Sequence, residues 1–109
     1  MLVRIVPSTP GAPAGKLAEA EVYFDESDGP FSGLKLVGFT VWKSTTGSGP
    51  NVTFPARQYS VNGERRHYRL LRAAGDTSTI DPLREHILRA YADHVASGRS
   101  VESESRHSA

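Results

Sequence analysis

Between Phe54 and Leu71 the chain reads FPARQYSVNGERRHYRLL, two runs compatible with extended structure joined by Asn62-Gly63. An Asn-Gly pair in that setting is the strongest short signal for a β-hairpin, because a type I′ turn needs positive φ at both central residues. Fixing the turn fixes the register. Val61 then opposes Glu64, Tyr59 opposes Arg66 and Arg57 opposes Tyr68, on one face with Pro55 and Leu70. The other face pairs Ser60 with Arg65, Gln58 with His67, Ala56 with Arg69 and Phe54 with Leu71. A slip of one residue would exchange the two faces.

This pattern separates the ends of the hairpin. The apolar residues Val52, Phe54, Leu70 and Leu71 gather at its base, which should be anchored in a sheet. The distal half has little to bury and should project. Residues 57–72 hold five arginines against one glutamate, a local charge of +4, in a chain whose formal net charge is only +1. Guanidinium forks bind phosphate in a bidentate way, tyrosine faces offer bases a stacking surface, and a two-stranded ribbon fits a duplex groove. Arg57, Tyr59, Arg65, Arg66, Tyr68 and Arg69 are therefore the candidate nucleic-acid-binding residues. The alternative is a solvated hairpin whose arginines stack on neighbouring tyrosines for about 0.5–1 kcal/mol each.

Around the hairpin the chain alternates strand-like runs with turns. LVRIV (Leu2–Val6) reads as a first strand, followed by a proline- and glycine-rich connector from Pro7 to Gly15. KLAEAEVYF (Lys16–Phe24) sets Ala18, Ala20, Val22 and Phe24 against Leu17, Glu19 and Glu21, a strand with one apolar face. DESDGPFSG (Asp25–Gly33) is a turn-forming segment whose acids read as a solvated loop, with weak cation binding as the alternative. LKLVGFTVW (Leu34–Trp42) is the strongest strand signal. Strict alternation puts Val37, Phe39 and Val41 on one face and Leu34, Leu36, Thr40 and Trp42 on the other. Both faces are largely apolar, so the strand should be covered on both sides, one of them by a second subunit. The glycine-rich KSTTGSGP (Lys43–Pro50) lacks the Gly-Lys-Ser/Thr and following helix of a phosphate loop, and reads as a hairpin connection.

Ile80, Leu83, Ile87, Leu88, Tyr91 and Val95 recur at three- and four-residue spacing, the apolar face of a helix from Ile80 to Ala96. Asp81 and Pro82 suit its cap and first turn, Glu85 and Arg89 an exposed i,i+4 pair, and Gly98 a C-terminal stop. The fold class that follows is α+β: a small antiparallel β-sheet with one C-terminal α-helix packed on it, in a homodimer. Residues 1–98 form the domain, and the polar stretch 99–109 forms a disordered tail.

Several function classes find no support in the sequence. With no cysteine, disulfides, thiolate chemistry and cysteine-ligated metals are excluded. His86 and His94 stand eight apart on the helix, and no His-x-x-x-His spacing occurs. No serine sits in a nucleophile-elbow sequence, and nothing assembles a nucleophile, a base and an oxyanion site. The expectation is a non-enzyme with no cofactor, no metal and no small-molecule substrate. No apolar run approaches the ~18 residues that span a membrane, and no secretory signal is present, so a cytoplasmic protein is expected. Asn51-Val52-Thr53 then reads as a chance match to a glycosylation sequon.

The order of segments carries a resemblance. LKLVGFTVW, a short glycine loop, VTFPAR, NGERR and the Thr/Ser-led STIDPLREHILRAY follow one another as in the SpoVG family, the stage V sporulation protein G or septation regulators of bacteria. The chain resembles that family from about Leu17 to His94. The resemblance implies a dimeric sheet-plus-helix protein that binds DNA and RNA and acts in gene regulation and division-septum control. The family's basic residue after its Pro-Ser falls on Arg57, its next basic position on Gln58, its turn glycine on Gly63 and its following arginine on Arg66. The chain departs from the family in the loss of charge at Gln58, in a hairpin one residue longer and in the HYRLLRA segment. Three functions stay open on these grounds: a dimeric nucleic-acid-binding regulator, a protein–protein adaptor using Trp42 and a sheet edge, and a small-ligand or metal-binding domain. The last needs a pocket that the sequence does not display.

Overall fold

A computed structural model describes the backbone of residues 1–108 and the side chains of residues 1–97. Strands β1 (Leu2–Pro7), β2 (Lys16–Tyr23), β3 (Lys35–Trp42) and β4 (Asn51–Thr53) form an antiparallel sheet in the order β1-β2-β3-β4. Strands β5 (Ala56–Val61) and β6 (Glu64–Arg69) form a separate two-stranded ribbon, and helix α1 (Asp81–Ser108) follows. The fold is α+β. The helix runs past Gly98, and the tail expected to be disordered from residue 99 lies outside the residues whose side chains are described.

Alternation in β2 determines the core. Ala18, Ala20 and Val22 are buried on one face, while Glu19 is exposed on the other. The buried set meets Ile5 of β1, Phe39 and Val41 of β3, Val52 of β4, Phe54, and Ile87 of α1, with Leu83, Leu88 and Tyr91 packed around it. Small alanines on β2 leave room for larger neighbours: Phe39 meets Phe54 edge-on, ring centroids 5.2 Å apart. Burying each such aromatic or branched side chain contributes about 1.5–3 kcal/mol.

The faces of β3 differ from strict alternation. Ala20 pairs with Phe39 but Val22 pairs with Leu36, so two steps on β2 match three on β3. The extra residue is a β-bulge at Val37–Gly38, where Gly38 takes φ 107°. Leu36 thereby joins Phe39 and Val41 on the core side, and Val37, expected beside them, is 49% exposed. The outer face of the sheet is mixed, with the exposed Val37 set among polar residues. It carries Glu19, Glu21, Lys35, Thr40 and Thr53, with Lys35 3.7 Å from Glu21, the Tyr23 hydroxyl donating to Glu21 (2.9 Å), and Trp42 Nε1 donating to Thr53 Oγ1 (2.9 Å).

The fourth expected strand is broken in two. Pro55 has no N–H to continue a ladder, and there the chain leaves the sheet, so β4 pairs with β3 and β5 with β6 alone. Val52 and Phe54 are buried and Leu71 packs on the core, as an anchored base requires. Leu70, expected with them, is 61% exposed.

Two aspartates shape the connections. Asp25 caps the 3-10 segment Glu26–Phe31 and, with Asp28, receives the Met1 amino group at 2.6 and 3.1 Å. That amino group, followed by Ser27, holds the Asp25 carboxyl well below the usual aspartate range. Asp76 accepts from the Ser78 backbone N–H (2.9 Å) and caps the 3-10 segment Thr77–Ile80, which leads directly into α1. Asp81 is already helical and takes Arg84 at 2.9 Å instead of capping, and among the described residues Glu85 and Arg89 form no ion pair.

Candidate nucleic-acid interface

The ribbon has the register that the Asn-Gly turn dictates. Arg57 opposes Tyr68, Gln58 opposes His67, Tyr59 opposes Arg66, Ser60 opposes Arg65 and Val61 opposes Glu64. Asn62 and Gly63 take φ of 52° and 82°, the left-handed pair a type I′ turn needs. At the base, the Leu70 N–H donates to the Pro55 carbonyl (2.9 Å), closing the ribbon where it meets the sheet. Every residue of β5 and β6 is exposed, so the ribbon stands out from the body.

All six candidate residues lie on this ribbon, divided between its faces. Arg57, Tyr59, Arg66 and Tyr68 share one face, and Arg65 and Arg69 share the other. Tyr59 and Tyr68 are 42% and 51% exposed, and exposed tyrosine rings offer bases a stacking surface. The arginine that stacks on a tyrosine is not one directly opposite it across the strands. Arg72 lies over the Tyr68 ring, 5.0 Å from its centroid, and donates to its hydroxyl at 2.9 Å. Arg66 approaches Glu64 at 3.4 Å, a long exposed contact of small worth. Among the described residues, Arg57, Arg65 and Arg69 have no ion pair or side-chain hydrogen bond. Their guanidinium groups are free to meet a ligand. Arg72 contributes to the charge count of the segment, but nothing in the sequence marked it as the partner of Tyr68.

The second face of the ribbon overlooks a cleft of about 570 Å³. Gln58, His67 and Arg69 line it from the ribbon, Trp42 and Thr53 from the sheet, and Arg84 from α1. Arg84 is held there by Asp81 and lies over the Phe54 ring, 5.6 Å from its centroid. No carboxylate lines the cleft among the described residues. Sequence reasoning missed this site because its walls come from β3, β4, both ribbon strands and the helix.

Comparisons of the chain with family models, curated proteins and solved structures find no match.

The chemistry of the interface therefore rests on its own residues. Among the described residues no group of three or more His, Asp or Glu is placed to hold a metal ion, and no helix is long and apolar enough to cross a membrane. The arrangement offers anion-binding guanidinium groups, exposed aromatic faces and a narrow ribbon that carries them away from the body. Guanidinium groups and aromatic faces are the kinds of group with which proteins bind phosphate and stack on bases.

Proposed function

We propose that this chain is a small nucleic-acid-binding regulatory protein that grips DNA or RNA with the β5–β6 ribbon. The observation that carries the reading is the set of free guanidinium groups, Arg57, Arg65 and Arg69, on a projecting ribbon that also exposes Tyr59 and Tyr68. Of the five arginines in residues 57–72 only Arg66 and Arg72 have partners, so the other three guanidinium groups can meet phosphate without first breaking an internal contact. The resemblance of the chain's motif order to that of the septation and sporulation regulators supports the same reading. It extends the proposal to a cytoplasmic homodimer of a bacterial regulator of transcription and septation, with a second copy covering the exposed Leu34 and Val37 of the sheet.

Fluorescence anisotropy with labelled single- and double-stranded DNA and RNA across a salt series tests it. Binding should weaken as salt rises, with a slope that reports several phosphate contacts. Retention that is absent at low salt on all four ligands defeats the reading.

The second reading is a protein–protein adaptor on the same fold. The exposed apolar side chains of Leu34, Val37 and Leu70 favour it, because a partner protein would cover them and a nucleic acid would not. Under that reading Leu34→Asp disrupts partner binding, and no nucleic acid is retained.

A further inference from the structure

We propose that the cleft between the ribbon and the sheet is a binding site for a nucleoside phosphate, separate from the arginine–tyrosine face of the ribbon. Its lining holds two guanidinium groups, Arg69 and Arg84, and no carboxylate among the described residues, with Asp81 meeting Arg84 from outside the lining. Arg69 has no ion-pair partner there, while Arg84 is held in place by Asp81 at 2.9 Å and by the Phe54 ring beneath it. A positioned guanidinium and an unpaired one lining the same cleft are suitable groups to receive a phosphate, which each can engage with a planar fork.

Other residues of the lining suit a ring. Trp42 Nε1 is occupied by Thr53 Oγ1, which fixes the orientation of the indole and leaves its ring as an apolar surface. Gln58 and His67, directly opposed on the ribbon, bring an amide and an imidazole to the same space. Such groups read the donor and acceptor edges of a base. The cleft volume of about 570 Å³ falls within the range of small-molecule sites. Guanidinium groups for a phosphate, an indole face for a ring, and one amide and one imidazole for a base edge, all lining one cleft, match a nucleoside phosphate. The same chemistry is met as a free nucleotide or as one unpaired residue of a single strand.

Trp42 is the only tryptophan in the chain, so its fluorescence reports on this site directly. The full chain is titrated with adenosine 5′-monophosphate and, separately, with a short single-stranded oligoadenylate. The expected result is saturable quenching that Arg69→Ala and Arg84→Gln each shift to about tenfold higher ligand concentration or more. Arg89→Ala, on the exposed side of α1, should leave the titration unchanged. Adenosine without phosphate and ribose 5-phosphate without a base should both bind more weakly than the monophosphate. Quenching by the monophosphate identifies a free nucleotide as the ligand. Quenching by the oligonucleotide alone, with the same dependence on Arg69 and Arg84, identifies an unpaired residue of a strand. Circular dichroism checks that Arg84→Gln folds; if it does not, the exposed Arg69 decides the matter alone. No saturable change with either ligand, or one that persists unaltered in Arg69→Ala, overturns the proposal. That outcome leaves the ribbon reading standing, since the latter is measured on Arg57 and Arg66.

Discussion

Gly38 packs against Pro55 so closely that a Cβ at position 38 would stand 3.1 Å from the Cβ of the proline. The contact joins the bulge of β3 to the point where the chain leaves the sheet for the ribbon. It therefore helps set the direction in which the ribbon projects. Gly38→Ala meets both this contact and a φ of 107° that a side chain disfavours. We expect a loss of stability of about 1–3 kcal/mol in urea unfolding. An unchanged midpoint would show that neither the bulge nor the contact is under constraint.

Phe39 lies at the centre of the core, fully buried and edge-on to Phe54. Phe39→Ala should cost about 3–5 kcal/mol, enough to leave a domain of this size marginal or unfolded at 37 °C. Phe31→Ala, at an exposed position, is the comparison and should cost little.

What the sequence displayed was whatever depends on local chemistry. Asn62-Gly63 announces its turn, and the turn dictates every pair of the ribbon, as Arg57 opposite Tyr68 shows. Ala18, Ala20 and Val22 alternate without interruption, so their burial was readable. The faces of β3 were not, because an alternation argument assumes one residue per step and the bulge at Val37–Gly38 adds another. Pro55 carried a warning that the expected fourth strand could not run unbroken through it. The cleft was illegible for a different reason. Trp42, Gln58, Arg69 and Arg84 come together only through tertiary structure, and no spacing in the chain encodes their proximity.

The ribbon should be separable from the body. Gly63→Ala places a side chain at φ 82° and should weaken the turn by about 1 kcal/mol. Because β5 and β6 pair only with each other, amide exchange should quicken along the ribbon and stay slow in β2 and β3. Uniform acceleration through the sheet would mean that the ribbon and the core unfold together.

Acid should loosen the entry to α1. The Ser78 backbone N–H, then its hydroxyl, bond the Asp76 carboxylate and hold its pKa below the ordinary aspartate value. A carboxyl depressed in the folded state stabilises it above the ordinary aspartate range, and that contribution fades as pH falls through the lowered value. Thermal melts of the wild type and Asp76→Asn should therefore differ at pH 7 and converge as the medium is acidified. A difference that persists at the lowest pH at which the chain folds would mean that Asp76 acts through shape rather than charge.

The central claim is that the arginines of the ribbon touch phosphate, and the salt dependence of binding in single-arginine variants tests it most directly. Arg57→Ala and Arg66→Ala should each weaken DNA or RNA binding by ~1 kcal/mol or more and reduce the slope of log K against log salt by about one unit. Melting temperature should hardly move, because both side chains are exposed on the ribbon. Tyr59→Ala and Tyr68→Ala should harm single-stranded ligands more than duplexes, since stacking needs a free base face. An affinity and salt slope that match the wild type in both arginine variants would contradict the account, and the ribbon would then be a solvated hairpin.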